Sequence, residues 1–148
     1  MDLILWRHCD AAPGVPDELR PLTPLGLAQA TRIAQWLDAR LPADCTIVAS
    51  PALRAQQTAQ ALRRAFGTDE RLAPSTTADD VLASVNWPDA RTAVLVVGHQ
   101  PTLGQVASLL LAGEPLDRAL RTGEVVWLRG CAADASVHAR LVERALKA

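Results

Sequence analysis

The chain has 148 residues, of which 49% are apolar and 21% are charged, and its formal net charge is −1. This composition is typical of one globular domain with a sizeable core, so we predict a single domain over residues 1–148. It excludes a basic nucleic-acid surface and an acidic tail, and no apolar run approaches the roughly 20 residues that cross a bilayer. We therefore expect a cytoplasmic protein without nucleic-acid or membrane partners.

The first elements along the chain are a strand and a helix. Residues 3–6 form a continuous apolar run, as expected of a strand covered on both faces. Residues 10–20 are rich in proline, glycine and acids and are predicted to form a loop. Thr23 and Pro24 begin a helix, with threonine as the cap and proline at the first position, and helical spacing of apolar residues continues to about Leu41.

The middle of the chain repeats this alternation. Residues 46–49 are predicted to be a second buried strand, and Ser50 and Pro51 to begin a helix that Gly67 closes. Residues 70–72 are predicted to be a short strand. Thr77 is a plausible cap for a helix over residues 78–86.

The last third starts with the strongest strand signal, the β-branched run at residues 93–97. A helix from Pro101 or Thr102 to about Ala112 follows, and two late strands are predicted at 124–128 and 136–141. Strands alternate with helices, and apolar strands need cover on both faces. The pattern therefore predicts a three-layer α/β/α sandwich with a mostly parallel central sheet.

Polar residues follow three of the predicted strands directly. Arg7 and His8 follow the first strand, Ser50 and Arg54 the second, and His99 the strand that ends at Gly98. In such sheets ligands bind outside the carboxyl ends of the strands, so these clusters are expected to converge on one pocket.

The residue types in this pocket suit a dianion such as a phosphoryl group. Guanidinium groups match phosphoryl oxygens two at a time, and Arg54 falls in the first turn of its helix, where the dipole also favours an anion. Charge stabilisation of this kind requires neither metal nor cofactor. The candidate nucleophiles are His8, Cys9, Ser50 and His99, and a neutral histidine is an accepted one, whereas Ser50 has no evident base.

Other interpretations of the same residues exist. A single histidine at a strand end is often structural, and Arg54 alone would be interpreted as a solvated helix residue. Cys9 could be a reactive thiol, but cysteine phosphatases place arginine six residues later, where this chain has Val15. A metal site is disfavoured because the neighbouring arginines would repel a cation. Cys9, Cys45 and Cys131 are too scattered for a disulfide framework and are expected to be reduced.

Four ordered blocks carry a family resemblance. Residues 5–9, Leu-Trp-Arg-His-Cys, resemble the Arg-His-Gly signature of the histidine phosphatase (phosphoglycerate mutase-like) superfamily. Residues 20–26, 50–58 and 97–101 match its later blocks in order and spacing. The resemblance covers about residues 2–112 and looks most like the SixA type, a phosphohistidine phosphatase.

The resemblance implies roles for individual residues. His8 would be phosphorylated, Arg7 and Arg54 would hold the phosphoryl oxygens, and His99 would donate a hydrogen bond to the same group. Arg20 would widen the basic rim. The implied substrate is a phosphohistidine on a partner protein, or a small phosphoramidate or phosphomonoester.

Two departures from the family pattern bear on this interpretation. Cys9 replaces the signature glycine, which would narrow the substrate site. Residues 71–75 carry no carboxylate to protonate an oxygen leaving group, and Asp10, Asp17 and Glu18 are weaker acid candidates. A mutase of the same fold and a degenerate phosphate-binding module without turnover remain as alternatives.

Overall fold

The computed structural model describes residues 1–130 with their side chains and the backbone of residues 139–145. Six strands form one sheet: β1 (Asp2–Arg7), β2 (Thr46–Ala49), β3 (Gly67–Thr68), β4 (Val94–Gly98), β5 (Val125–Gly130) and β6 (Ala139–Ala145). The helices are α1 (Pro24–Asp38), α2 (Leu53–Gln60), α3 (Ala78–Ser84) and α4 (Thr102–Ala112), with 3₁₀ turns at Asp17–Leu19 and Glu70–Leu72.

The strand order is β3-β2-β4-β1-β5-β6. The first four strands in this order run parallel, whereas β5 pairs antiparallel with β1 and β6 antiparallel with β5. The sheet is therefore mostly parallel, as predicted. The carboxyl ends of β1, β2 and β4 lie side by side at one edge.

Apolar side chains cover both faces of the sheet. Ile4 and Trp6 pack with residues of α1 and α2, whereas Leu3 and Leu5 pack with residues of α3 and α4. Successive side chains of a strand point to opposite faces, so the continuous apolar run of β1 supplies both cores. The three-layer architecture expected from the sequence is confirmed.

The predicted caps form where the sequence placed them. The Thr23 side chain accepts the backbone N–H of Gly26 at 3.0 Å and begins α1. A side chain at Gly26 would overlap the backbone oxygen of Asp10, so glycine is required for α1 to pack against the loop that follows β1. Thr77 and Asp80 form a reciprocal capping box at the start of α3.

Two predicted elements are wrong in detail. The helix expected from Ser50 to Gly67 begins at Leu53 and ends at Gln60. Arg63 adopts a left-handed backbone conformation with φ of 55°, which is incompatible with continuation of a right-handed helix. Gly67 instead lies in β3.

The short strand predicted at residues 70–72 is a 3₁₀ turn. The Asp69 carboxylate accepts a hydrogen bond from the backbone N–H of Arg71 at 2.9 Å and caps the turn, so this N–H is not available for pairing with a strand. In the last predicted strand, residues 136–138 lie outside the described residues, as does Cys131, and β6 begins at Ala139. None of the described helices has the length and apolar character needed to span a bilayer.

Candidate active site

Backbone hydrogen bonds bring the three polar clusters to one edge of the sheet. His8 follows β1, and its N–H donates to the carbonyl of Gly98 at the end of β4 at 3.0 Å. Ser50 follows β2, and its N–H donates to the carbonyl of Val97 at 3.0 Å. The rings of His8 and His99 lie with their centroids 5.2 Å apart. Residues separated by about 40 positions along the chain therefore share one site.

The hydrogen bond of His8 identifies its reactive nitrogen. The side chain is 7% exposed, and Nδ1 lies 2.8 Å from the carbonyl oxygen of Cys9. A carbonyl oxygen only accepts, so Nδ1 carries the hydrogen and Nε2 holds the lone pair. Nε2 is thus the nitrogen available for bonding to an electrophile.

The electrostatic surroundings keep His8 neutral. Burial is the largest effect and, with the positive charges of Arg54 and Arg7, lowers the pKa of His8 to about 4, against the opposing hydrogen bond to Cys9. A histidine with this pKa is uncharged at neutral pH and retains its lone pair. The charge of Arg20 lowers the pKa of His8 in the same direction.

His99 is also buried and neutral. Its Nε2 lies 2.7 Å from the hydroxyl oxygen of Ser50, and its Nδ1 is buried without a hydrogen-bond partner among the described residues. Burial is the largest cause that lowers the pKa of His99 to about 3, followed by the charge that His8 acquires when it is protonated at low pH and by the charge of Arg54.

The two predicted phosphoryl-binding arginines each have one buried nitrogen without a partner among the described residues. Arg54, in the first turn of α2, is 4% exposed and donates from Nη1 and Nη2 to the backbone oxygen and carboxylate of Asp17 at 2.8 and 2.9 Å. Arg7 donates from Nη1 to the carbonyl of Leu120 at 2.8 Å. The Nε atoms of both arginines are buried and have no partner within the described part of the chain.

Three buried nitrogens of the site have no hydrogen-bond partner among the described residues, namely Nε of Arg7, Nε of Arg54 and Nδ1 of His99. The two Nε atoms carry hydrogens, and Nδ1 donates if its tautomer places the hydrogen there. Buried polar groups in proteins nearly always have hydrogen-bond partners. An anion with several oxygens is the kind of ligand that would satisfy them, and a phosphoryl group fits that description.

Arg20 and Cys9 hold different positions from the four central residues. Arg20 lies at the rim with its side chain 28% exposed, and donates to the carbonyl of Ala12 at 2.8 Å and to the Asp17 carboxylate at 3.0 Å. Cys9 is fully buried, and its side chain packs in the apolar cluster on the α1 and α2 side of the sheet. Its backbone supplies the carbonyl that orients His8, and its N–H donates to Thr58 Oγ1 at 3.1 Å. Contact of the Cys9 thiol with a substrate stays a prediction.

Asp17 is the residue whose partnership the sequence did not reveal. Its two carboxylate oxygens bind Arg20 and Arg54, and these hydrogen bonds lower the pKa of Asp17. An ionised carboxylate has no proton to give, so this geometry does not support Asp17 as a general acid. The spacing of Asp17 and Arg20 suggests their pair, but no local pattern links Asp17 to Arg54, 37 residues away.

Other features of the described residues lie apart from this site. No group of three histidine, cysteine, aspartate or glutamate side chains within the described ranges is arranged to hold a metal ion. The Asp10 carboxylate, another acid candidate, accepts the Thr23 hydroxyl at 2.6 Å. A groove of about 580 Å³ lies between α1 and α2, and its lining includes none of the site residues His8, His99, Arg7, Arg20 and Arg54.

Comparisons with known proteins identify the family of the chain. The family model of the histidine phosphatase superfamily (branch 1) matches residues 3–81. The phosphohistidine phosphatase SixA of Escherichia coli K12 is 31% identical over 123 residues, covering 77% of this chain and 76% of that protein. An uncharacterised protein of Mycobacterium tuberculosis is 35% identical over 126 residues, covering 77% of this chain and 75% of its own.

Solved structures are similar over almost the whole chain. A protein of Nakamurella multipartitia assigned as a phosphohistidine phosphatase SixA superposes with a TM-score of 0.80 at 34% identity, covering 99% of this chain and 95% of that one. A SixA protein histidine phosphatase solved with tungstate has the same fold, with a TM-score of 0.79 at 24% identity, covering 97% and 96% of the two chains. By its family match and by its relatives, the chain belongs to the histidine phosphatase superfamily.

Proposed function

We propose that the chain is a phosphatase that hydrolyses phosphohistidine on a partner protein, or a small phosphoramidate or phosphomonoester, through an intermediate phosphorylated on His8. The observation that carries the proposal is the neutral, buried His8 with its Nε2 lone pair available, beside three buried nitrogens that have no hydrogen-bond partner among the described residues. The name of the Escherichia coli relative supports phosphohistidine as the first substrate to test.

The reaction has two displacements at phosphorus. In the first, the Nε2 lone pair of His8 bonds to phosphorus while the bond to the leaving nitrogen breaks, and that nitrogen keeps the electron pair. In the second, water attacks phosphorus, the bond to Nε2 breaks with its electron pair returning to Nε2, and the proton lost by water leaves with inorganic phosphate or solvent. Charge on the phosphoryl oxygens is stabilised by N–H groups of Arg7, Arg54 and His99.

The acids near the site favour a nitrogen leaving group. Asp17 is held ionised by its arginine partners, and Asp10 is occupied with the Thr23 hydroxyl. An alkoxide leaving group needs a proton during bond cleavage, whereas an imidazole can carry one beforehand. The substrate is therefore expected to be a phosphoramidate in preference to an alkyl phosphate.

Trapping of the intermediate tests the proposal. Brief incubation with phosphoramidate, followed by alkaline quenching, digestion and mass spectrometry, should place an acid-labile phosphoryl group on His8. His8→Ala should abolish both the adduct and phosphate release. A His8→Ala variant that folds and retains wild-type turnover would show that the assignment of the nucleophile is wrong. A separate incubation with a phosphorylated sugar acid tests for a mutase, which would give an isomerised phosphorylated product.

A matched arginine pair tests the anion site. Arg54→Met should lower kcat/KM by roughly a hundredfold or more, because it removes a buried donor to the transferring group. Arg64→Met removes an arginine that pairs with Asp38 away from the site and should leave kcat/KM within about twofold. Equal losses in the two variants would argue against a specific role for Arg54.

A further inference from the structure

Ser50 is held in place by its own backbone. It is fully buried directly after β2, its N–H donates to the carbonyl of Val97 at 3.0 Å, and its carbonyl accepts Nε2 of Gln56 at 2.7 Å. Both backbone groups are bonded, so the fold fixes the backbone of Ser50, and the bonds of its hydroxyl group to Ala52 and His99 then place the side-chain oxygen.

The hydroxyl group of Ser50 has two neighbours with unequal roles. The backbone N–H of Ala52 lies 3.1 Å from Oγ and can only donate, so it occupies a lone pair of the oxygen. Nε2 of His99 lies 2.7 Å from the same oxygen. The described residues offer the hydroxyl hydrogen one acceptor, Nε2 of His99, so Ser50 donates and His99 accepts.

Counting hydrogen bonds separates the two tautomers of His99. If Nε2 carried the hydrogen, the Ser50 hydroxyl hydrogen would have no acceptor and the Nδ1 lone pair no donor, which leaves two buried groups unsatisfied. If Nδ1 carries the hydrogen, one buried group is left, and it is an N–H of the kind that a phosphoryl oxygen accepts.

We propose that Ser50 is a positioning residue that fixes His99 as the tautomer with its hydrogen on Nδ1, and so supplies the site with a neutral N–H donor to the phosphoryl group. The inference rests on the proposed function for its catalytic consequence, and on the hydrogen bonds alone for the tautomer. Ser50 acts through His99 and makes no bond to phosphorus.

Nitrogen-15 NMR of the imidazole groups tests the tautomer without any substitution. In protein labelled at histidine, near neutral pH, His99 should show a protonated Nδ1 and an unprotonated Nε2, assigned by comparison with the His99→Gln variant. A hydrogen found on Nε2 overturns the proposal whatever the activity. A wild-type protein without turnover would instead overturn the proposed function, and the NMR result would still decide the role of Ser50.

Substitution tests the catalytic consequence. Ser50→Ala should lower kcat by about tenfold or more with a smaller change in KM, because His99 then populates both tautomers and its donor is correctly placed for only part of the time. Ser108→Ala is the matched control, because Ser108 is also buried and its substitution removes one hydrogen bond, which the Ser108 hydroxyl donates to the carbonyl of Glu114. That control should leave both kcat and the His99 spectrum unchanged.

A double-substitution cycle distinguishes positioning from loss of structure. If Ser50 acts through His99, adding Ser50→Ala to a His99→Gln background should lower kcat no further. A Ser50→Ala variant that lowers kcat as much in that background as in the wild type, or that keeps the wild-type tautomer, contradicts the proposal.

Discussion

Acidification should charge His8 only well below the pH at which an exposed histidine takes up a proton. Burial and the neighbouring arginines lower the pKa of His8 from 6.5 to about 4. At about 1.4 kcal/mol per tenfold change in the dissociation constant, charging His8 in the folded protein costs roughly 3 kcal/mol more than in the unfolded chain. Near pH 5.5 about 97% of His8 should therefore be neutral, against about 9% for an unperturbed histidine.

The same difference predicts how stability depends on pH. Above about pH 6.5 His8 is neutral in both states and adds no pH dependence. Between pH 6.5 and about 4, His8 is protonated in the unfolded chain but stays neutral in the folded protein, so the free energy of unfolding falls as the pH falls. His99, whose pKa is lowered to about 3, adds to this loss in the same direction.

Two measurements check the prediction. An NMR titration of labelled histidines, with His8 assigned from the His8→Gln variant, should give a midpoint near pH 4, and the acid limb of kcat/KM should lie in the same region after correction for ionisation of the substrate. Urea denaturation at several pH values should show that His8→Gln removes part of the loss of stability between pH 6.5 and 4. A midpoint for His8 near 6.5 would refute the reasoning, because it would mean that the ring is solvated.

Three further predictions, one of them with a control substitution, test other contacts. Asp17→Asn should tighten the binding of inorganic phosphate about two- to fivefold, as measured by calorimetry, because it removes a carboxylate that pairs with Arg54. Weaker binding would show instead that Asp17 holds this arginine in place. Thr58→Val should lower the free energy of unfolding by about 1–3 kcal/mol, measured by urea denaturation, because the buried N–H that follows the nucleophile loses its acceptor. Gly26→Ala should lower the free energy of unfolding by a similar amount, because the new methyl group would overlap backbone atoms of Asp10. The control, Gly67→Ala, places its methyl group in open space and should change the free energy of unfolding by less than about 0.5 kcal/mol. Equal effects of the two substitutions would contradict the packing argument.

Local sequence patterns predicted most of the elements and the edge of the sheet at which the polar residues collect. The apolar run of β1 and the β-branched run of β4 each bury side chains on both faces, so they indicate strands inside a three-layer fold. Thr23 and Thr77 mark helix starts through bonds to residues three positions later. Such signals depend on neighbours in the chain, which is why they could be recognised before any coordinates.

Contacts between distant residues were decided only by the tertiary structure. Asp17 reaches Arg54 across 37 positions and Ser50 reaches His99 across 49, and no periodicity relates residues so far apart. The lowered pKa of His8 likewise comes from burial, which depends on how the layers pack. The sequence thus predicted which residues gather at one edge of the sheet, whereas the packing of the layers set their protonation, their hydrogen-bond partners and the nitrogens that we propose to bind an anion.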